Sequence, residues 1–346
     1  MRLLDGDIEF ETPILVPGLS SKALGPILGE LPGKATLDLR TASLVHSESL
    51  IDGIQESLLV SAYDIKLGLL TDSKKFRSGF KSSRWAKPNL LIIDSGWYEK
   101  NVGPPGGQYV HEAGAAVEWT QDDFEQTVDS LDKNVRAVVV SWDNTGTYPE
   151  QIASAQHFFG TRKRFASTIL LKPPGDGRFH SFKNLAAAQA ADLRLFGIVG
   201  VTEKELGDSI IGRLEELARL RTALDDAEVD APVHVFGGLD PLYTPLYVAA
   251  GAEIFDGLGW LRYSYRKGFA YYRDAAPLLE RQVTKRWSQA VMSTQLRNLD
   301  EMAQLTEELK LFAHAGGDPR KLRKDVGDVV APVLDNLKRR IGSKSV

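Results

Sequence analysis

The 346-residue sequence predicts an α/β fold, a (β/α)8 TIM barrel with a short N-terminal hairpin and a C-terminal helical appendage. Three observations carry that expectation. Eight short segments recur that are continuously apolar rather than alternating, the pattern of strands buried on both faces. Helical periods lie between several of them, as parallel strands require. No Gly-rich dinucleotide fingerprint follows any strand, which disfavours the open doubly wound sheet.

In chain order, residues 1–12 (MRLLDGDIEFET) read as a hairpin turning at Asp5–Gly6. The strand segments are Pro13–Pro17, Leu58–Ala62, Leu90–Asp94, Ala137–Trp142, Ser167–Leu171, Leu195–Gly200, Val233–Phe236 and Ala252–Asp256. Between them, Asp123–Leu131 follows an acidic start and Tyr148–Phe158 begins beside a proline, both helix-opening signals. Ile210–Leu224 sets Leu214, Leu217 and Leu220 on one helical stripe. A Gly237–Gly238 turn follows the seventh strand, and Asp240–Pro241 opens the next helix. After about Tyr272 the pattern changes. Residues 276–313 are expected to be helical, with Leu296, Leu299, Met302, Leu305, Leu309 and Phe312 at three- and four-residue steps. Gly316–Gly317 breaks this run, and Val326–Ile341 forms a last helix with Val330, Val333, Leu334 and Leu337 inward. The expected division is a barrel domain over 1–275 and a helical extension over 276–346.

Composition narrows the function classes. At 43% apolar and 25% charged, the chain is of the ordinary globular kind, long enough for one large core. No apolar run approaches the roughly 20 residues of a membrane helix, and the N-terminus lacks a signal-peptide pattern. No membrane partner and a cytoplasmic location are expected by elimination. Cysteine is absent, which excludes disulfides, thiolate nucleophiles and cysteine-based metal sites. The net charge of −4 disfavours polyanion binding by the whole surface but leaves room for local basic patches. The six histidines show no metal-ligand spacing, and His157 and His234 read as packed or surface residues; no metal or cofactor is expected.

Three carboxylates end predicted strands: Asp94 in LLIIDSGWYE, Asp143 in VVVSWDNTGTYPE and Asp256 in EIFDGLGW. Parallel barrel strands all run one way, so these acids should converge on the C-terminal mouth. Carboxylates gathered there can divide the work of nucleophile and general acid/base. The alternative is that each is a helix N-cap or turn residue; three in matching positions favour function.

These residues resemble a family, the tRNA-guanine transglycosylases, which exchange guanine for a 7-deazaguanine. EFETPILVPG is similar to the family's opening hairpin and first strand. DSGWYE resembles its D-S-G-G-[FY]-Q motif, SWDNTGTYPEQ its F-D-E-x-x-x-Y-P motif and GVTEKE its G-L-x-x-G-E loop. HVFGGLDPLYTPLYVAAGAEIFDGLGWLRY resembles the archaeal branch. The resemblance spans roughly residues 8–272. It implies Asp256 as the nucleophile toward the sugar C1′ and Asp94 as the general acid/base. It likewise implies Asp143 as acceptor of the Watson–Crick edge of the base, since guanine offers two N–H donors side by side. Tyr98 would stack on the base, and the backbone of Gly200–Val201 would face its 7-substituent, with Gly238 beside the substrate. The sequence departs from the family in three places. Trp97 stands where the motif has a second glycine. Leu171–Lys172 replaces a Gln-Gly pair, so that Lys172 meets a phosphate or base carbonyl or else lines a solvated loop. The structural zinc site, three Cys and a His, cannot form.

Basic residues mark where a nucleic acid would lie. Lys74, Lys75, Arg77, Lys81, Arg84 and Lys87 interleave with Phe76, Phe80 and Trp85 without an acidic residue, suiting phosphate contacts and base stacking. Arg162–Lys163–Arg164, then Arg262, Arg266 and Lys267, and Arg320, Lys321, Arg323 and Lys324 in the tail add to this. The alternative is a solvated charged face. The segment Gly103–Gly107 reads as a flexible loop or a lid near Asp94.

The expected partners are DNA, narrowly favoured over tRNA, a 7-deazaguanine base and, as an open possibility, accessory protein subunits. Two rivals stand: a noncatalytic nucleic-acid-binding partner subunit of a transglycosylase, and a barrel N-glycoside hydrolase using the same carboxylates.

Overall fold

The computed structural model describes residues 2–4, 8–21, 23, 50, 54, 56–68, 70, 88–101, 118–285 and 287–341. Strands β1 (Arg2–Leu4) and β2 (Ile8–Phe10) pair antiparallel. Eight further strands close a parallel barrel: β3 (Ile14–Leu19), β4 (Ser57–Ser61), β5 (Leu90–Asp94), β6 (Val138–Val140), β7 (Ala166–Leu171), β8 (Ile198–Thr202), β9 (Val233–Phe236) and β10 (Ile254–Gly257). They follow one another around the ring, and β10 closes onto β3. The predicted (β/α)8 fold is thus the observed one. Leu90–Asp94 and Val233–Phe236 have the expected bounds, and the edges of the other strands differ by at most three residues. The largest shift is in β8, where Leu193–Leu195 forms a 3-10 turn and the strand starts at Ile198.

Side-chain alternation along each strand makes two cores. Val199, Val201, Val233, Val235 and Phe255 face outward into the main core beneath the helices. Ile14, Val16, Leu90, Ile92, Val138, Val140, Leu170, Ile198 and Ile254 fill the lumen. Each fully buried aliphatic side chain contributes roughly 1.5–3 kcal/mol of transfer free energy, so both faces of every strand hold the ring. Ile8 and Phe10 of the hairpin join the lumen cluster, and Leu4 packs against it. They do so beside the first inward residues of the strands. The hairpin therefore plugs the N-terminal end of the barrel, and the C-terminal end is the one left for chemistry.

Helices Gln121–Asp129, Tyr148–Gly160, Ile210–Asp226 and Tyr243–Ala249 cover the ring. The first starts with a capping box, Thr120 receiving the Asp123 amide while the Asp123 carboxylate takes the Thr120 N–H. Ile210–Asp226 buries Leu214, Leu217 and Leu220, the stripe that the sequence predicts. After the barrel, β11 (Tyr263–Arg266) and β12 (Phe269–Tyr272) make a hairpin.

The expected continuous helix over 276–313 is instead two pieces, Ala276–Leu279 and Trp287–His314. Arg281 between them has φ +55°, a left-handed conformation no helix continues through. Leu296 is exposed, not inward. Its half of the long helix buries Thr294, Gln295 and Asn298 instead. Asn298 accepts the Tyr265 amide at 2.7 Å and donates to the Trp260 and Tyr263 carbonyls at 2.6 and 2.8 Å. Backbone groups that leave the barrel between β10 and β11 need partners. Satisfying them rotates the polar side inward until Met302, Leu305, Leu309 and Phe312 take over. The final helix, Lys324–Ile341, buries Val326, Val330, Leu334 and Leu337. Among the described residues no helix is long and apolar enough to cross a membrane.

Candidate active site at the barrel mouth

Asp94 is the last residue of β5, and its side chain has the inward parity of Leu90 and Ile92. The chain then turns sharply at Gly96, whose φ of +84° favours glycine. A Cβ at Gly96 would also sit 2.7 Å from Tyr63 Cβ. This turn aims the Gly96 amide at Asp94 Oδ2, 3.4 Å away, and starts the short helix Trp97–Asn101. Burial first, and the charges of Asp143 and Asp256 second, raise the pKa of Asp94 from 3.8 to about 7. That mutual influence joins three carboxylates, from positions 94, 143 and 256, in one electrostatic site.

Asp143 lies three residues beyond β6. Ser95 donates its hydroxyl to Asp143 Oδ2 at 2.6 Å, and Lys172 Nζ sits 3.3 Å from Oδ1. Lys172 follows β7 and is buried, not solvated. Its ammonium also meets Glu205 Oε1 at 2.7 Å and donates to Thr202 Oγ1 at 3.4 Å. The two carboxylates hold it charged against the desolvation that opposes charge. Gln151 fixes the backbone there: its Oε1 accepts the Lys172 amide at 2.9 Å, and its Nε2 donates to the Lys172 and Gly146 carbonyls. The loop that carries Asp143 is thereby tied to the end of β7. Of the roles open for Lys172 in the sequence, contact with a phosphate or base carbonyl or a place in a solvated loop, the burial and ion pairs rule out the solvated loop. It is the cation of a carboxylate pair.

Asp256, on β10, is 8% exposed. Its Oδ1 lies 3.1 Å from His234 Nε2 and accepts the Gly237 amide at 3.1 Å. Gly237 has φ +77°. Gly238 follows in the same turn, where a Cβ would stand 2.8 Å from Val235 Cγ1. The loop expected at Gly200–Val201 is strand instead. Both residues lie within β8, paired to β7 on one side and β9 on the other, not in a loop. Gly200 serves packing: a Cβ there would meet Phe236 Cε2 at 2.6 Å.

Tyr98 is half-exposed at the rim, and its hydroxyl accepts a hydrogen bond from the Arg262 guanidinium at 3.1 Å. Arg262 thus belongs to the rim near Asp94. The Arg266 guanidinium points elsewhere, donating to the Leu279 carbonyl at 2.6 Å, and the backbone amide of Lys267 donates to Glu301 at 3.2 Å. Arg162 pairs with Glu125 and Asp129 between a helix end and the start of β7, hence at the plugged end. Arg320 pairs with Asp318, and Arg323 with Glu301 and Glu308. These arginines are neutralised by the protein itself, because surface cations find local carboxylates in a chain of net charge −4. Lys74, Lys75, Arg77, Lys81, Arg84 and the Gly103–Gly107 segment lie outside the described residues.

Two features are absent from the sequence expectations. His234 is packed, one of the two places expected for it, but it also touches Asp256. Glu99 closes the DSGWYE motif, is buried, and is held well above the ordinary carboxylate range by burial and by the charges of Asp64 and Asp94. Its place on the first turn after Asp94 was the available signal. A cavity of about 450 Å³ lies at the opposite, plugged end, lined by Thr12, Arg221, Glu253 and His314. Its arginine is spent on Asp225 and on the Val229 and Ala231 carbonyls, and no carboxylate of the mouth reaches it.

Chemically, the mouth offers a carboxyl that exchanges protons near neutrality, a second carboxylate held by one oxygen, and a third paired with an ammonium. That set suits covalent catalysis with separate acid/base and recognition groups. No protein-family model matches the chain, and no curated protein matches its sequence.

Proposed function

We propose that this chain is a base-exchange transglycosylase that replaces guanine in nucleic acid, DNA in preference to tRNA, with a 7-deazaguanine. The observation that carries the reading is Asp94, brought to about pH 7 by burial and by the neighbouring charges of Asp143 and Asp256. A carboxyl so placed gives a proton to a leaving base and takes one from an incoming base at physiological pH.

In the proposed reaction an Asp256 oxygen attacks the sugar C1′ as the C1′–N9 bond breaks. Asp94 delivers its proton to the departing guanine. The covalent sugar–aspartate ester persists until the 7-deazaguanine binds. Its N9–H proton passes to Asp94, N9 forms the new bond to C1′, and the Asp256 carboxylate is released. Splitting one hard displacement into two is the usual advantage of a carboxylate nucleophile. Asp143 accepts N–H donors of the base, and Tyr98 with Arg262 forms the rim against which the base stacks. DNA is preferred because a chain without cysteine cannot build the zinc site of the tRNA enzymes it resembles. A duplex guanine must be flipped out at a cost of a few kcal/mol.

The test is incubation with guanine-containing DNA or tRNA and radiolabelled guanine, followed by nucleoside mass spectrometry. Label incorporation supports base exchange. Binding without incorporation favours a noncatalytic partner subunit, and release of free base without replacement favours a hydrolase.

A further inference from the structure

We propose that His234 is a positioning residue that aims the Asp256 carboxylate, an inference that rests on Asp256 being the nucleophile. His234 is the second residue of β9. Val233 and Val235 on either side face the outer core, so His234 shares the lumen face with Phe236. It pairs in register with Ile254, which places its ring one inward step below Asp256 on the adjoining strand. The ring is completely buried and stacks on Phe236, centroids 3.8 Å apart and planes inclined by 26°. It therefore has one orientation.

In that orientation Nε2 stands 3.1 Å from Asp256 Oδ1, the oxygen that also accepts the Gly237 amide at 3.1 Å. A carboxylate only accepts, so Nε2 is the nitrogen that donates to Asp256. Nδ1 is buried and meets no hydrogen-bond partner among the described residues. Burying a histidine this way opposes stability, and an aliphatic residue would fill the lumen more cheaply. What the histidine adds is direction. Both contacts fall on Oδ1, and among the described residues Oδ2 receives none. One oxygen is anchored from beneath and the other is left to attack. Fixing a nucleophile in its reactive orientation is worth large factors in rate without any change in substrate affinity.

Two measurements test this. On the unmodified protein, long-range 1H–15N NMR of the imidazole is expected to show the proton on Nε2; a proton on Nδ1 alone overturns the contact. In parallel, covalent-adduct formation with a guanine-containing strand is timed in wild type, His234→Leu and His234→Gln. The leucine variant is expected to slow adduct formation by about tenfold to a hundredfold with strand affinity unchanged. Glutamine, whose amide N–H reaches the same position, is expected to recover most of that loss. An unaffected rate in His234→Leu, or equal loss in both variants, overturns the role. If wild type forms no adduct, the base-exchange reading fails by itself, and the NMR result still decides whether His234 donates to Asp256. If neither variant folds, the same spectrum of the unmodified protein decides.

Discussion

Replacing Asp94 with asparagine is expected to stabilise the fold at neutral pH while abolishing base exchange. In the native chain, burial first and the charges of Asp143 and Asp256 second carry Asp94 from 3.8 to about 7. In the unfolded chain the same group releases its proton near pH 4. Between about pH 4 and 7 the native state therefore binds more protons than the unfolded state, and stability falls as pH rises through that window. Roughly three units at about 1.4 kcal/mol each set an upper bound of about 4 kcal/mol. Water at the mouth screens part of this, leaving about 2–3 kcal/mol. Asparagine does not ionise, and its carbonyl can still accept the Gly96 amide. Urea unfolding of wild type and Asp94→Asn at acid, neutral and mildly alkaline pH measures the difference. The expected result is near-equal stability around pH 4 and a variant more stable by that amount above about pH 7. A difference that does not change with pH, or a variant less stable above pH 7, would refute the raised native pKa and with it the acid/base role.

Three further outcomes follow from the packing. Lys172→Met leaves Asp143 and Glu205 without their shared cation and is expected to cost about 2–4 kcal/mol by urea melt; unchanged stability would show the ion pairs to be incidental. Gly200→Ala drives a methyl into the Phe236 ring, against a contact of 2.6 Å, and is expected to cost about 1–3 kcal/mol; a neutral substitution would mean that the lumen yields. Asn298→Ala strands the Tyr265 amide and the Trp260 and Tyr263 carbonyls. A loss of about 2–4 kcal/mol is expected, and amide exchange should rise first in the β11–β12 hairpin.

The ring and its three acids were legible because each signal is local. A continuous apolar run ending in Asp, then Ser-Gly or Asn-Thr-Gly, specifies both strand and loop face without knowledge of any neighbour. His234 was not legible, because its meaning depends on β9 lying beside β10 in one register, with Ile254 opposite His234 and Asp256 one inward step above. Lys172 stays open between a substrate contact and a solvated loop until Gln151 and Asp143 from another strand end enclose it. Gly200–Val201 looked like a loop because the motif follows a family pattern, but strand pairing extends through Thr202. The long C-terminal helix misled through its own periodicity. Leu296 fits an apolar stripe, yet the backbone groups leaving the barrel require Gln295 and Asn298 on the inward side. Side chains that answer a partner's backbone carry no periodic signature.

The central claim is that Asp256 bonds to the sugar during turnover, and covalent trapping tests it most directly. Protein incubated with a guanine-containing strand, denatured and digested, should yield a nucleotide-bearing peptide that contains Asp256, with no such adduct from Asp256→Asn. An adduct mapped to another residue, or base exchange persisting in Asp256→Asn, would contradict it.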